Sequence, residues 1–445
     1  MLYKLHLNIS VVGILTIGYI AAIAVNRALF LMFLVPIVAF ISQMCLLLYF
    51  SSNDKVVYSD KSLFWTVFSY TVLLGAFFMF ISDYYDGDTF MFCKADAMFY
   101  YKESMRVQEL GLGGNISRIV QEFDFDDWGA LICDTIVMYI FPQKLFLNFI
   151  YMLLGAFSAV FLFRIGKAYM PERYAFLAAL GYSCSSYAVF FNCSFLKEAW
   201  FVFLVVSVLF NIHRIIKDQS NINYIHLGFS IFTIFFFRPA VAAFLCVGIF
   251  IYYGIIHRGK AISLFLYMAA VGVLLVSFKK AMEIVEWNTG GGSVDVMVEE
   301  TSNSEYSGGF NYFVSIFGAF FGPFPSILPQ MKGPTSLDYL GAGLVYKLFL
   351  VFPFWYGVYI IFKEKVLELL PLLIFVLLEL LLTGLVCASL ELRKVILHVP
   401  FMYIVAYFGI FHGAKPAQLS HVSTLPTYLF AIGVLFLWNV IKVKS

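Results

Sequence analysis

The sequence contains too little charge to form a soluble protein of its length. Charged residues make up 13% of its 445 residues and hydrophobic residues 62%, and the mean hydropathy is +0.88. It also lacks the alternating apolar and polar pattern of membrane-barrel strands, and it has no glycine-rich nucleotide-binding motif. These absences exclude a soluble catalytic domain, so any chemistry must lie between helices or in the loops that connect them.

Cysteine is scarce and scattered. The seven cysteines form no CxxC pair and no cluster with histidine. The sequence therefore predicts neither a zinc site nor a disulfide framework. The net charge is only +2, which does not predict a nucleic-acid partner.

Apolar runs recur from one end of the chain to the other, each about 20 residues long, the length that crosses a bilayer core of roughly 30 Å. They predict an all-α polytopic membrane protein with 13 or 14 transmembrane helices. The N-terminal run has no small-residue cleavage site, which favours a retained first span over a removed signal peptide. The predicted spans are 9–25, 28–50, 64–82, 145–163, 174–192, 199–215, 224–237, 240–256, 262–278, 344–362, 367–388, 395–411 and 425–441.

A further apolar segment, residues 313–330, contains the motif GPFP at 322–325 and then Pro329. Prolines at this density break a helix. Broken backbone at membrane depth is tolerated only where protein or a water cavity covers it. The segment therefore either crosses the membrane or dips in and returns, and the number of spans depends on which it does.

Lysine and arginine in the short loops indicate which side of the membrane is cytoplasmic. They place two long acidic loops on the opposite, periplasmic side. The first loop has eleven acidic and five basic residues, and residues 281–312 of the second have six acidic residues and no basic one. The chain then divides into three N-terminal helices (1–82), the first periplasmic loop with amphipathic helices (83–144), a central bundle (145–280), the second loop with the GPFP segment (281–343) and the C-terminal helices (344–445).

The first acidic loop is predicted to be folded. Apolar residues spaced among charged ones after Asp96 indicate a surface helix with Asp96 as its N-cap. Gly111, Gly113 and Gly114 are predicted to end this helix. A second interfacial helix is predicted within residues 124–142, with Trp128 at headgroup depth.

Several basic residues are predicted to share the face of the membrane that carries the acidic loops. Lys197 lies at the mouth between two spans, and Arg238-Pro239 interrupts residues 224–257, which are too long for one span. Arg393 lies on this face only if the GPFP segment is re-entrant. Lys197, Arg238 and Arg393 together suit the diphosphate of a lipid-linked ligand, because arginine makes bidentate contacts with phosphate oxygens.

The carboxylates of the first loop supply the second half of the predicted site. Asp86 and Asp88 are the candidate catalytic residues, either as a general base toward an acceptor hydroxyl or as oxygen ligands of a divalent cation. No cofactor is otherwise predicted. The competing structural interpretation is a solvated acidic loop, a snorkelling Arg238 and an ordinary helix-end pair of Lys197 and Glu198.

The order of several short motifs resembles that of bacterial inner-membrane proteins from surface-polysaccharide gene clusters. The motifs are Gly87-Asp88 with Tyr100, LKE at 196–198, the Arg238-Pro239 break, GPFP, and ELRK at 391–394. The resemblance covers most of the chain, about residues 60–410. The chain looks like the O-antigen or capsule repeat-unit polymerases of the Wzy type and the related GT-C-type glycosyltransferases.

This resemblance implies a glycosyltransferase of the bacterial inner membrane with its active face in the periplasm. Its substrate would be a saccharide carried on undecaprenyl diphosphate within the membrane lipid, and its partners would include other polysaccharide-assembly proteins. By position, Asp88, with Asp86 nearby, matches the acidic loop residue of the family, and Arg238 matches the basic residue that faces the diphosphate. Two features differ: the acidic loop follows the third predicted span instead of the first, and the second loop contains no arginine.

Within the family resemblance, a repeat-unit polymerase is favoured and a GT-C-type transferase of a single sugar is the alternative. A flippase or transporter of the same lipid-linked oligosaccharide is a rival from another class. Transporters often contain internal repeats and charges near the middle of the membrane, whereas the charges here gather at one face. A non-enzymatic assembly factor is the third alternative.

Overall fold

The computed structural model describes residues 30–53, 56–91, 94–123, 125, 127–218, 221–256, 337–382, 396–413 and 433. All regular elements in these ranges are helices, as the composition predicts. Arg393, the second acidic loop, the GPFP segment and the predicted spans 9–25, 262–278 and 425–441 lie outside the described residues.

The helices are numbered α1 to α14 in chain order. A short 3-10 helix, Leu367–Leu369, precedes α13. The bounds are Phe30–Ser52 (α1), Asp60–Asp86 (α2), Lys94–Met105 (α3), Val107–Glu122 (α4), Trp128–Ile140 (α5), Lys144–Gly166 (α6), Glu172–Ser183 (α7), Ser186–Phe191 (α8), Glu198–Asp218 (α9), Asn221–Phe235 (α10), Pro239–Ile256 (α11), Leu337–Lys363 (α12), Leu370–Leu382 (α13) and Val399–Gly413 (α14).

Five helices in the described part of the chain are long and apolar enough to cross a membrane. Since a helix rises 1.5 Å per residue, about 20 residues cover the hydrocarbon core. This finding agrees with the predicted helical membrane protein. The five segments are Leu34–Ser52, Asp60–Asp86, Lys144–Gly166, Glu198–Lys217 and Tyr339–Lys363, and shorter apolar helices cover Ile222–Phe235, Pro239–Tyr252 and Val399–Gly413.

The first acidic loop is helical, but the predicted start of its first helix is wrong. α3 begins at Lys94, so Asp96 lies in the first turn and is not the N-cap. Gly111 has non-helical backbone, with φ of 68° and ψ of 170°, so it ends the first helical stretch of α4 as predicted, and a second stretch that contains Gly113 and Gly114 continues to Glu122. The left-handed backbone at Gly111 explains why the helix bends there, since glycine adopts it without steric cost. The second predicted helix is present as α5.

The span predicted over 174–192 is not one continuous helix. It is interrupted after α7, and Ser185 begins α8 by accepting a hydrogen bond from the backbone N–H of Ala188 on its side chain. Every residue from 175 to 199 is buried. The break is therefore covered by protein on all sides, as broken backbone in an apolar environment requires.

Distant parts of the chain hold the broken segment in place. The Ser186 hydroxyl donates to the carbonyl oxygen of Leu340 at 3.2 Å and accepts from the N–H of Gly343 at 2.8 Å. The Tyr187 hydroxyl donates to that of Tyr403 at 2.8 Å. Hence α12 and α14 satisfy the polar groups of α8 more than 150 residues away.

The predicted break at Arg238-Pro239 is confirmed. α10 ends at Phe235 and α11 begins at Pro239. Proline is favoured at the first position of a helix because the N–H that it lacks would have no helical partner there. The break turns the chain at the end of the bundle where α3, α4 and α5 lie, which we call the loop end.

Candidate functional site

Charged residues precede several of the described helices that begin at the loop end. Asp127 precedes α5, Lys197 precedes α9 and Arg238 precedes α11. The backbone carbonyl of each accepts a hydrogen bond from the first turn of its helix, at 3.0 to 3.3 Å. We call these three residues the N-cap cluster. Helix N-termini carry partial positive charge and attract anions, so Lys197 and Arg238 add full charges where the backbone already favours a negative group.

A close backbone contact joins the three helix starts. The N–H of Gly129 donates to the carbonyl oxygen of Phe236 at 2.9 Å. The ring of Phe237 stacks on that of Phe201 in the first turn of α9, with centroids 5.9 Å apart. A Cβ on Gly129 would lie 2.2 Å from Phe237. Glycine at this position therefore allows α5 to reach the break between α10 and α11.

Lys197 and Asp127 form an ion pair in this cluster. The Lys197 ammonium lies 2.7 Å from Oδ1 of Asp127, and the Lys197 side chain is 9% exposed whereas that of Asp127 is 26% exposed. The Tyr100 hydroxyl donates to the same oxygen at 2.5 Å. Aspartate often caps the helix that it precedes, but the Asp127 side chain makes no capping hydrogen bond. Its carboxylate is directed to Lys197 and Tyr100 instead.

The Tyr100 hydroxyl stays protonated in this arrangement and therefore acts as a hydrogen-bond donor. Burial raises the pKa of its hydroxyl, and the negative charge of Asp127 raises that pKa further. The hydroxyl consequently keeps its proton at physiological pH. It holds the Asp127 carboxylate from the side of α3 while Lys197 holds it from the side of α9.

Arg238 lies beside the same turn of α9. Its guanidinium carbon is 5.6 Å from the ring centroid of Phe201, in cation–π contact. Its positive charge also acts on Glu379 of α13, which is 2% exposed. Oε2 of Glu379 has no hydrogen-bond partner among the described residues. Each predicted phosphate-binding cation that the structure describes therefore has an acidic neighbour.

A second carboxylate on α5 lies below this cluster. Asp134 follows Asp127 by seven residues, which places both on the same face of the helix. It is fully buried and accepts hydrogen bonds from Tyr151 at 2.9 Å and from the Trp200 indole N–H at 2.9 Å. Burial raises the pKa of Asp134 to about 7, although the hydrogen bonds from Trp200 and Tyr151 lower it in part. Asp134 thus joins α5 to α6 and α9.

Lys197 and Glu198 are not an ordinary exposed helix-end pair. Lys197 is 7% exposed as a whole residue and Glu198 is 1% exposed. Burying charged groups costs free energy unless they are paired. This burial argues against the structural interpretation of the LKE motif that the sequence left open.

Asp86 and Asp88 occupy the end of α2 and the turn after it. Oδ1 of Asp88 accepts a hydrogen bond from the N–H of Phe90 at 2.7 Å, which closes an Asx turn. The charge of Asp88 acts on Lys144, the first residue of α6. In the described contacts, Asp88 therefore interacts with Lys144, whereas Lys197 interacts with Asp127.

Lys144 is held between a hydroxyl and aromatic rings. Its ammonium donates to the hydroxyl of Thr89 at 2.6 Å. It lies 3.5 Å from the ring centroid of Phe90, with the rings of Tyr101 and Phe195 at 5.6 and 5.4 Å. These contacts fix the turn that contains Asp88 against the start of α6.

The pattern of the sequence does not mark Asp127, Glu379 or Lys144 as site residues. Glu379 interrupts the apolar run LLELLL, and an acidic residue inside a predicted span is itself a signal of function. Asp127 was one acid among eleven, and Lys144 one base among five, in the first loop. Nothing in the local pattern distinguishes these two, because their partners lie on other helices.

No group of three or more His, Cys, Asp or Glu side chains suited to a metal ion occurs among the residues that the structure describes. Neither protein-family models nor comparisons with curated proteins and solved structures give a significant match for this chain.

Proposed function

We propose that this chain is a polysaccharide polymerase of the bacterial inner membrane. It transfers saccharide repeat units carried on undecaprenyl diphosphate during the synthesis of O-antigen or capsule. The observation that carries the proposal is the N-cap cluster, in which Lys197 and Arg238 stand at helix N-termini at one end of an apolar bundle. An anionic group attached to a lipid tail fits such a place.

The donor diphosphate lies against Lys197 and Arg238 in this proposal. The two cations and the helix N-termini stabilise the negative charge that grows on the diphosphate as it leaves. Arg393 is proposed as a third cation for the same group. The apolar tail lies along lipid-facing helix surfaces such as that of α10, where Phe229 and Phe232 are exposed.

The proposed reaction is a displacement at the anomeric carbon. The oxygen of an acceptor hydroxyl forms a bond to that carbon, and the bond from the carbon to the diphosphate oxygen breaks. The electron pair of the broken bond leaves with the diphosphate. Asp88 or Asp86 accepts the proton of the attacking hydroxyl, and the Asx turn and the contacts of Lys144 hold this pair in place.

The proposed topology follows from the charge distribution of the sequence. It has 13 or 14 spans, with the loop end and both acidic loops in the periplasm, where the lipid-linked saccharide and other polysaccharide-assembly proteins are met. The GT-C-type transfer of a single sugar uses the same donor chemistry and is the first alternative, and a non-enzymatic assembly factor is another.

One observation favours a flippase as a different candidate. Lys347 is 2% exposed within α12, and α8, the second helix of the broken pair α7–α8, packs against the same helix. Buried charges and discontinuous helices are common in transporters. The cations that suit a diphosphate nevertheless lie at the loop end, which is why the transferase is preferred.

A strain that lacks the gene provides the test. Undecaprenyl-linked saccharides are extracted and weighed by mass spectrometry. Single complete repeat units that accumulate without longer chains support the polymerase. Units that lack one sugar support the single-sugar transferase. Complete units retained on the cytoplasmic side support the flippase, and unchanged lipid-linked and finished glycans contradict all three.

A further inference from the structure

The ion pair of Lys197 and Asp127 occupies the position that an anionic ligand needs. Lys197 is the more buried member of the ion pair, at 9% side-chain exposure, and Asp127 is the more exposed member, at 26%. A ligand that approaches from the loop end meets the carboxylate before it meets the ammonium. The cation is therefore accessible to another anion only after Asp127 moves.

Both described hydrogen bonds to the Asp127 carboxylate are made by one oxygen atom. Oδ1 receives the protons of Lys197 and Tyr100, at 2.7 and 2.5 Å. The Asp127 side chain does not cap α5. Moving this side chain away from Lys197 therefore leaves the backbone hydrogen bonds at the start of α5 unchanged. Rotation of this one side chain breaks the contact with Lys197 without unfolding a helix.

We infer that Asp127 is an exchangeable counter-ion: an anionic phosphate group of the substrate takes its place at Lys197, and Asp127 turns away. The choice of a diphosphate as this anion rests on the proposed function. The exchange keeps an anion beside the Lys197 ammonium, because removing a counter-ion from a buried charge would be costly. It also means that the site discriminates against anions too weak to compete with a carboxylate.

The acidic neighbour of Arg238 does not take part in such an exchange. Glu379 is 2% exposed, so its carboxylate has no solvent-facing position into which it could turn away from Arg238. The ligand thus displaces Asp127 from Lys197, whereas Glu379 stays beside Arg238. Only the removal of Asp127 is expected to strengthen the binding of an anion.

The test uses the full-length protein in lipid nanodiscs and inorganic diphosphate as the probe, with calorimetry to measure affinity. Asp127→Asn removes the competing charge and keeps the size of the side chain. We expect it to bind diphosphate about tenfold more tightly than the wild type, which corresponds to about 1.4 kcal/mol. Lys197→Met alone should bind diphosphate no more tightly than the wild type. Combined with Asp127→Asn, it should abolish the gain in affinity. Tyr100→Phe, which loosens the carboxylate without removing it, gives a smaller gain of a few-fold.

Glu122→Gln is the matched control, since Glu122 belongs to the same loop but pairs with Arg118. An equal gain in this variant would reduce the effect to a change in overall charge and overturn the inference. So would unchanged or weaker binding in both Asp127→Asn and Tyr100→Phe. The outcome is separate from the proposed function: tighter binding with unchanged lipid-linked glycans in the deletion strain supports the exchange and refutes the transferase. Accumulated lipid-linked units without tighter binding support the transferase and refute the exchange.

Discussion

Lys197 and Arg238 have similar positions in the chain but different surroundings. Each precedes a helix and lies beside the ring of Phe201 or the turn that carries it. Lys197 presents a compact ammonium to one carboxylate oxygen. Arg238 presents a planar guanidinium, which binds two phosphate oxygens at once. At the scale of single residues, the two cations are therefore not interchangeable.

Replacement of Arg238 tests this difference. If the proposed transfer takes place, Arg238→Ala should lower its rate by roughly 10- to 150-fold, since a hydrogen bond to a charged group contributes about 1.5–3 kcal/mol. Arg238→Lys keeps the charge but loses the bidentate geometry. Its activity should lie between that of the wild type and that of the alanine variant. Product is measured by mass spectrometry in membranes that contain equal amounts of protein. Full activity in the alanine variant would contradict the assignment.

The paired substitution of Asp86 and Asp88 by asparagine tests the role of the acidic turn. Asparagine keeps the oxygen that accepts the N–H of Phe90, so the turn should remain folded while its charge is lost. We expect an enzyme to lose at least 100-fold in activity, in line with the contribution of a general base. Asp83→Asn is the control, because Asp83 is exposed on the same helix. An assembly factor would tolerate the double substitution.

Asp134 should make the stability of the protein depend on pH. Its pKa is about 7 in the folded protein and 3.8 in a free side chain. Between these values the folded state holds a proton that the unfolded state has lost, so stability should fall as the pH rises from about 4 to about 7. The size of the effect is on the order of a few kcal/mol.

The measurement for Asp134 is thermal unfolding in detergent at a series of pH values. Asp134→Asn accepts one hydrogen bond and never ionises, so its melting temperature should fall less over this window than that of the wild type. Parallel curves for the two proteins would show that Asp134 does not titrate there. The comparison isolates one carboxyl group from the other acids of the loop.

Among individual residues, the sequence pattern marks Lys197 and Arg238 but not the acidic residues that the structure places beside them. Lys197 and Arg238 stand out because each interrupts an apolar run. Asp127 does not, because it is surrounded by other acids and its partner lies 70 residues further along the chain. A contact of this separation depends on how helices pack, which the pattern of a single sequence does not encode.

At the scale of elements, proline and apolar run length were reliable signals. The break before α11 follows from Pro239, and the long spans follow from uninterrupted apolar residues. The break between α7 and α8 has no such signal, since the sequence there is SCSS (183–186). Serine favours a helix N-cap, but it does not force a break. Instead, tertiary hydrogen bonds with α12 and α14 stabilise the break.

The junction between α5 and the α10–α11 break can be tested at Gly129. A methyl group there would lie 2.2 Å from the ring of Phe237. We expect Gly129→Ala to destabilise the protein by about 1–3 kcal/mol, the usual cost of an overpacked contact. The melting temperature in detergent reports this change. Gly113→Ala is the matched control, because no atom lies within 4 Å of its added methyl, and it should be neutral or stabilising through better helix propensity.

For the molecule as a whole, composition was sufficient to predict a helical membrane protein. Five helices that can cross a membrane, and a folded acidic loop between two of them, agree with that prediction. The arrangement of helices was not predictable in the same way. α6 packs against α2, α7 and α9, and α12 packs against α14, and these choices depend on side-chain shape rather than on hydropathy.

The buried break between α7 and α8 has a consequence for how the protein is made. The polar groups of Ser186 and Tyr187 are satisfied by residues 154 and 216 positions later in the chain. At a synthesis rate of about 5–20 residues per second, the ribosome needs roughly 8–30 s to reach the first of these partners. During that interval the segment sits in the translocation machinery or the lipid with unsatisfied hydroxyl groups. Proteins shortened before α12 should therefore be inserted but recognised by membrane quality-control proteases, and the full-length chain should escape them.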